Sequence, residues 1–385
     1  MLKLKRTDES KLTSWYFEID RKLLFWTFVL IFIGCVVVFS AGSAQAARMG
    51  KPWYFFFQKA WLLYLLGIIS LIFCSMLNKK QIIRLSVAGF IAMYGALLST
   101  VAHGTKLKGS ARWAHIAGFD FLPVDLLKPF FIVLTAWFLA QMHETYGDNI
   151  YLNKEPWKPT LKRVNWPVYM LLFVPCVLIL LKHPDLGSAL LYSGVFGGML
   201  LVAGIPWKIF WPLFGIGFTG MGVYALFCME HVGKRAKEIL QMEHGSQVWF
   251  SVNSIRHGGL FGSGDKSYVK NVLAESANDF VYSSIAEDLG AIAACALIGL
   301  LFYVFSMLIQ HACQAKDKFV VYVLAGAATL FAGQIFFNLT SALHLVFNKG
   351  MTLPFISYGG ASFVGFCILF GMILALVRED TWNNK

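Results

Sequence analysis

Residues 23–44 read LLFWTFVLIFIGCVVVFSAGSA, a run of 22 positions without a charged side chain. A helix needs about 20 apolar residues to cross roughly 30 Å of hydrocarbon, so this run predicts a transmembrane helix. Similar runs recur along the chain. They predict ten spans: 23–44, 57–77, 82–102, 123–143, 166–182, 186–204, 207–228, 280–310, 318–344 and 355–377.

The composition supports the same fold class. The chain of 385 residues is 57% hydrophobic and only 14% charged, whereas soluble domains carry about 25% charged residues. We therefore expect an all-α polytopic integral membrane protein. The net charge of +12 fits basic cytoplasmic loops better than a nucleic-acid partner, because no nucleic-acid-binding motif is present.

Loop charges predict the orientation. Lysine and arginine concentrate in segment 1–22, in the turn at 78–84 and in loop 144–165, which lie on one side if the spans alternate. The positive-inside rule makes that side the cytoplasm and places both termini there. We expect a cytoplasmic segment 1–22, a membrane domain 23–377 with a long extracytoplasmic loop at about 229–279, and a cytoplasmic tail 378–385.

The sequence favours an uncleaved first helix and predicts neither disulfides nor a zinc site. SAGSAQAARM after the first span resembles a signal cleavage site, but the apolar run is long for a signal peptide, so an uncleaved first helix is expected. The seven cysteines lie mostly in apolar runs, and their spacing predicts neither disulfides nor zinc binding.

Ionisable residues inside predicted spans are the first functional candidates, since each costs about 2.5–3.5 kcal/mol on insertion scales. Lys128 lies just inside the fourth span, and Glu287 lies two turns into the eighth. The alternative is structural, in which Lys128 neutralises Glu287 or Asp125 inside the bundle.

Asp279 lies at the predicted start of the eighth helix, on the outer face. It could simply cap the helix. It could instead act as a general base on a lipid-borne substrate, with the helix dipole favouring its ionised form. Basic residues predicted on the same face suggest an anionic substrate: Arg112, Arg256, Lys266, Lys270 and Lys349.

Two turns near the outer face hold further candidates. In NKGMTLPFISYGGAS, residues 348–362, Pro354 and Gly359–Gly360 predict a re-entrant turn that opens the last helix. Free backbone N–H groups there, beside Ser357, could bind an anion, although close packing would also explain the glycines. In HPDLGS, residues 183–188, Asp185 starts the sixth helix or belongs to an ordinary Pro–Asp turn.

These motifs together resemble the SEDS family (shape, elongation, division and sporulation), and KGMTLP at 349–354 resembles its FtsW branch more than its RodA branch. GSARW at 109–113, LPVDLLK at 122–128 and LAESANDFVYSSIAEDLG at 273–290 resemble further family segments in order. The resemblance implies ten helices and a peptidoglycan glycosyltransferase that polymerises lipid II outside the bacterial cytoplasmic membrane. It also implies a class B penicillin-binding protein and other divisome proteins as partners, at the division septum.

The resemblance implies that Asp279 corresponds to the family's essential aspartate. It would act as general base on the 4-hydroxyl of the acceptor sugar, while the donor sugar loses a polyprenyl pyrophosphate. Basic residues, or a divalent cation such as Mg²⁺ or Mn²⁺, would stabilise the leaving pyrophosphate. The candidates for substrate and pyrophosphate binding are Arg112, Lys128, Lys270, Lys349, Glu275, Ser357, Gly359 and Gly360. Glu287, Asp185 and Pro354 are expected to be structural. No metal ligand and no organic cofactor is assigned.

This sequence departs from the family pattern close to Asp279. Ala274, Ala277 and Asn278 replace Pro, His and Thr, and the loop GSGDKS is one residue short. Thr340, Phe347 and Asn348 differ in the last outer segment. Two other functions stay open at this point: a lipid II flippase and a non-catalytic divisome scaffold.

Overall fold

The computed structural model describes residues 11–103, 105–107, 110–116, 119–148, 150–151, 154–158, 164–228, 244–267, 272–273, 275–346 and 350–383. Twelve α-helices lie within these ranges. They are α1 Lys11–Glu18, α2 Arg21–Arg48, α3 Phe55–Ser75, α4 Lys79–His103, α5 Pro123–Tyr146, α6 Trp166–Lys182, α7 Leu186–Val202, α8 Trp207–Cys228, α9 Gln247–Gly258, α10 Val281–Gln314, α11 Lys318–Ala342 and α12 Gly360–Asn383.

A helix lies at each of the ten predicted spans. In the described part of the chain, seven helices are long and apolar enough to cross a membrane, and the apolar helices α6 and α7 are shorter. The prediction of a multi-pass helical membrane protein is confirmed, while the number of crossings stays a prediction. The last helix is displaced from the predicted 355–377: it begins at Gly360 and continues to Asn383.

Helix α12 packs mainly against α3 and α5, and α11 packs against α5, α7 and α10. Close approach depends on small residues: a Cβ at Gly371 of α12 would lie 2.5 Å from the carbonyl oxygen of Leu71 on α3. In a bilayer, where lipid is as apolar as leucine, such backbone contact is what drives helices together. Phe331, Phe355 and Phe370 fill the centre, and the rings of Phe355 and Phe370 meet edge to face with centroids 5.0 Å apart.

A small antiparallel sheet lies in the connection between α4 and α5, where sequence analysis expected only a loop. Its strands are β1 Thr105–Leu107, β2 Ser110–Ile116 and β3 Phe119–Phe121, in the order β1-β2-β3. Trp113, Ile116, Phe119 and Phe121 are residue types that favour strands. Hydrogen bonds between these strands satisfy backbone N–H and C=O groups in a connection that is not helical.

Helix α10 is broken at Gly290, which has φ 86° and ψ 172°. That backbone conformation is essentially restricted to glycine. The span predicted over 280–310 therefore contains a helix break. The element consists of an upper segment, residues 281–289, and a lower segment, residues 291–314.

A turn after α9 fills the break in α10. Ser263 N–H donates to the carbonyl of Glu287 at 2.8 Å, and the N–H groups of Ala291 and Ile292 donate to the carbonyls of Gly259 and Leu260 at 2.9 and 3.3 Å. Non-helical backbone at membrane depth is tolerated only where protein satisfies its polar groups. The first two residues of the glycine-rich loop GSGDKS, Gly262 and Ser263, belong to this turn and have a structural role.

Replacing Gly290 by alanine should destabilise the protein, since an added Cβ would lie 2.3 Å from the Leu260 carbonyl oxygen and backbone strain alone costs about 1–3 kcal/mol. The matched control is Gly299→Ala in the same helix, where an added Cβ meets nothing within 4 Å and should add about 0.5–1 kcal/mol of stability. Thermal unfolding in detergent measures both; equal midpoints would contradict the tight fit at Gly290.

Candidate functional site

Asp279 lies in a turn formed by residues 275–280, just before α10. The helix begins at Val281 with Phe280 in the N-cap position. Asp279 therefore precedes the N-cap, rather than lying in the first helical turn as predicted. Its side chain is partly buried.

The backbone carbonyls of this turn are held by the segment that leads into α12. The Ala277 carbonyl accepts from Tyr358 N–H at 2.8 Å. The next carbonyl, of Asn278, accepts from Ser357 Oγ at 2.7 Å. Ser357 was predicted to bind substrate; in the structure its hydroxyl is committed to this bond, and it also accepts from Leu353 N–H at 2.8 Å.

Asn338, on α11, completes this support and was missed by sequence analysis. Its Nδ2 donates to the carbonyl of Asp279 at 3.0 Å and to the carbonyl of Met351 at 2.6 Å. The side chain is fully buried, in a helix that runs alongside α10. A buried amide in an apolar helix is costly unless it is hydrogen-bonded. That cost was the signal available in the sequence.

Gly350 contacts the Asp279 side chain. It has φ +67°, and a Cβ added there would lie 2.6 Å from Asp279 Oδ2. The carboxylate is thus bounded on one side by glycine backbone. Together with the three held carbonyls, this contact fixes where the acid can point.

Glu275, the proposed second carboxylate, lies in the same turn. Its Oε2 accepts from Asn278 Nδ2 at 2.7 Å, and its carbonyl accepts from the N–H groups of Asn278 and Phe280. These bonds close the turn, so the observed role of Glu275 is to shape the backbone that carries Asp279. Asn278, one of the departures from the family pattern, is the donor.

The intramembrane charges are paired locally. Lys128 is buried, and its Nζ lies 2.5 Å from Asp125 Oδ1, one turn earlier on α5. Glu287, with no exposed surface, instead pairs with His257 Nδ1 at 3.0 Å. Of the two partners proposed for Lys128, the structure shows Asp125. His257 as the partner of Glu287 was not predicted.

The remaining described candidates have packing or capping contacts. Asp185 caps α7, accepting from Ser188 N–H at 3.0 Å. Pro354 is buried in the segment before α12. Cβ atoms added at Gly359 and Gly360 would lie 2.6 Å from Thr352 and 2.5 Å from Leu63. The two glycines also line a small open cleft with Tyr64 and Tyr358.

Three predicted basic contacts cannot be placed. Lys270 and Lys349 lie outside the described residues, as do Ala274, Phe347 and Asn348 among the departures. The backbone of Arg112 is in β2, but its side chain is not described. Within the described ranges, no three His, Cys, Asp or Glu side chains cluster to hold a metal ion. The divalent cation stays a prediction.

Comparison with known proteins identifies the family. The sequence profile of the cell cycle protein family of FtsW, RodA and SpoVE matches residues 21–381. The chain belongs to the SEDS family. The FtsW of Caulobacter vibrioides, described as a probable peptidoglycan glycosyltransferase, is 31% identical over 97% of this chain and 93% of that relative. The corresponding FtsW of Saccharophagus degradans is 29% identical over 96% and 95%.

Solved structures of SEDS proteins share the fold. A structure titled as a peptidoglycan synthase complex that coordinates polymerization and crosslinking matches with a TM-score of 0.73 and 21% identity, over 94% of this chain and 98% of that chain. The Thermus thermophilus rod shape determining protein RodA matches with a TM-score of 0.66 and 22% identity, over 94% and 97%. At these identities the likeness concerns the fold.

Substituting Asn338 by leucine should leave the carbonyls of Asp279 and Met351 without this donor, at about 1–3 kcal/mol for each buried group. The matched control is Gln334→Leu, one turn earlier on α11, because the buried Gln334 Oε1 has no hydrogen-bond partner among the described residues. Thermal unfolding in detergent should show a large loss for Asn338→Leu and little or none for Gln334→Leu. Equal losses would mean that Asn338 does not hold the turn.

Proposed function

We propose that this SEDS protein is a peptidoglycan glycosyltransferase that polymerises lipid II into glycan strands at the outer face of the cytoplasmic membrane. The proposal rests chiefly on the placement of Asp279. The backbone carbonyls of residues 277, 278 and 279 accept hydrogen bonds from Tyr358, Ser357 and Asn338, respectively. A helix cap needs no such support, whereas a catalytic base must be held in a fixed geometry. The FtsW names of its relatives agree with the proposed activity.

The reaction needs one proton transfer and one displacement. The Asp279 carboxylate takes the proton from the acceptor sugar 4-hydroxyl as that oxygen attacks the anomeric carbon of the donor. The bond from this carbon to the polyprenyl pyrophosphate breaks, and the pyrophosphate leaves with the electron pair. Attack from the opposite face inverts the anomeric carbon and gives a β-1,4 link.

The leaving pyrophosphate needs positive charge close by. Lys128 already pairs with Asp125. Its positive charge is therefore partly neutralised, and it would stabilise the pyrophosphate less than an unpaired lysine would. Arg112, Lys270 and Lys349 are the other proposed contacts. Lys349 directly precedes Gly350, the residue against the Asp279 carboxylate. That adjacency makes Lys349 the first of these three to test.

The proposed partners and location follow from the same activity. A class B penicillin-binding protein would crosslink the strands that this protein polymerises, and septal cell-wall synthesis with other divisome proteins would fit the FtsW branch. The flippase alternative needs charged groups along a path between the leaflets. Lys128 and Glu287 are each paired to a neighbour instead, which favours the polymerase.

The deciding experiment is polymerisation of purified lipid II by the reconstituted protein with its transpeptidase. Asp279→Asn should reduce polymer formation by about a hundredfold to ten-thousandfold, the usual contribution of a general base. The matched control is Asp288→Asn, because that nearby carboxylate accepts from Ser40 Oγ at 2.9 Å and is given no part in the reaction. Full activity in Asp279→Asn would refute the base assignment, and an inactive wild type would favour a flippase or scaffold.

A second prediction concerns the contact with Gly350. Gly350→Ala should abolish polymerisation, because its Cβ would displace the Asp279 carboxylate, in addition to a backbone cost of about 1–2 kcal/mol at positive φ. Gly50→Ala, at φ +63° with nothing within 4 Å of an added Cβ, carries the same backbone cost alone. Its polymerisation rate should be close to wild type. Unfolding midpoints measured alongside would separate lost stability from lost activity.

A further inference from the structure

The break in α10 lies at the outer end of a membrane crossing. The lower segment of α10 and helix α11 are joined by residues 315–317 and pack side by side as an antiparallel pair. Ala291 and Ser341 are each 23 residues from that connection. At about 1.5 Å per residue, both lie roughly 35 Å from it, just beyond the ~30 Å of hydrocarbon.

The connection itself lies on the basic, cytoplasmic side. Asp317 pairs with Lys79, the first residue of α4, and Lys80 and Arg84 follow in the same basic stretch. His311 Nε2 lies 2.9 Å from Asp20 Oδ2, and Arg21 and Lys22 follow Asp20 in the chain. The positive-inside rule assigns such an end to the cytoplasm. Gly290 is therefore at the outer boundary of the hydrocarbon layer.

The turn that fills the break exposes two large apolar side chains at this level. Leu260 is 63% exposed and Phe261 is 83% exposed, although the backbone of Leu260 bonds to Ile292. We call Leu260 and Phe261 the apolar tip. Leu289 and Ile292, on either side of the break, are also more than half exposed, so the apolar surface extends from the tip onto the outer end of the crossing.

Basic residues flank the tip in sequence. Arg256 and Lys266 are both exposed and lie on its two sides along the chain. An apolar side chain with lysine or arginine close by is the arrangement that membrane-interface segments use, with acyl chains below and phosphates above. A soluble loop would have no reason to expose both apolar residues beside a membrane crossing.

We propose that the apolar tip inserts into the outer leaflet at the boundary between acyl chains and headgroups, with Arg256 and Lys266 at the level of the lipid phosphates. The bound partner is phospholipid. Because the backbone around the tip bonds to residues 287, 291 and 292, and residues 281–289 connect this junction to Asp279, the insertion sets the depth of the Asp279 turn relative to the outer leaflet.

Fluorine NMR in lipid nanodiscs tests this insertion. A fluorinated phenylalanine replaces Phe261 in one variant and Phe302 in a matched one; Phe302 is 66% exposed near the middle of the lower segment. Spin-labelled phospholipids carry the label either near the headgroup or at the acyl-chain end, and a water-soluble relaxation agent reports on solvent.

We expect the headgroup-proximal label to broaden the Phe261 signal most and the chain-end label to broaden the Phe302 signal most. Strongest broadening of Phe261 by the aqueous agent would place the tip in water. Protection from all three agents would mean that protein covers it. The same broadening order at both positions would mean that the tip does not mark the boundary. Each of these three results would overturn the proposal.

Discussion

The site depends on backbone carbonyls that must find donors away from water. In a bilayer, an unsatisfied peptide group costs several kcal/mol, so irregular backbone persists only where other protein groups pair it. The turn before α10 meets this condition with donors from α11 and from the segment before α12: Asn338, Ser357 and Tyr358. The position of Asp279 is a result of that pairing.

The break in α10 obeys the same constraint. Gly290 ends the helical hydrogen bonding at the outer boundary, and the turn after α9 supplies replacement donors and acceptors. Glycine is required on both partners, since a Cβ at Gly258 would lie 1.9 Å from the Ala286 carbonyl oxygen. The pair of His257 with the buried Glu287 lies at this junction. Hydrogen bonds thus join the turn after α9, which is part of the long outer loop, to the helix that follows Asp279.

The sequence predicted the helical membrane fold and the approximate positions of the long helices, because apolar runs report on the bilayer directly; the last helix is displaced and begins at Gly360. The resemblance to the SEDS family also proposed Asp279 as the catalytic base. The sequence could not predict Asn338 as the support of Asp279 or His257 as the partner of Glu287. Those contacts join residues 59 and 30 positions apart, and no local periodicity encodes such pairings. The helix break at Gly290 was not predicted because glycine is common in membrane helices, and the sequence does not show that the turn after α9 replaces the helical hydrogen bonds there.

The donors that hold the Asp279 turn have a consequence for biosynthesis. Asp279 is synthesised well before Asn338, Ser357 and Tyr358, and proteins emerge from the ribosome in N-to-C order. The carbonyls of the turn therefore remain without these partners until the last two helices have entered the membrane. Until then a nascent chain holds the acid but not the geometry around it. A chain that ends before α12 would lack the assembled site even if every earlier helix were correctly inserted.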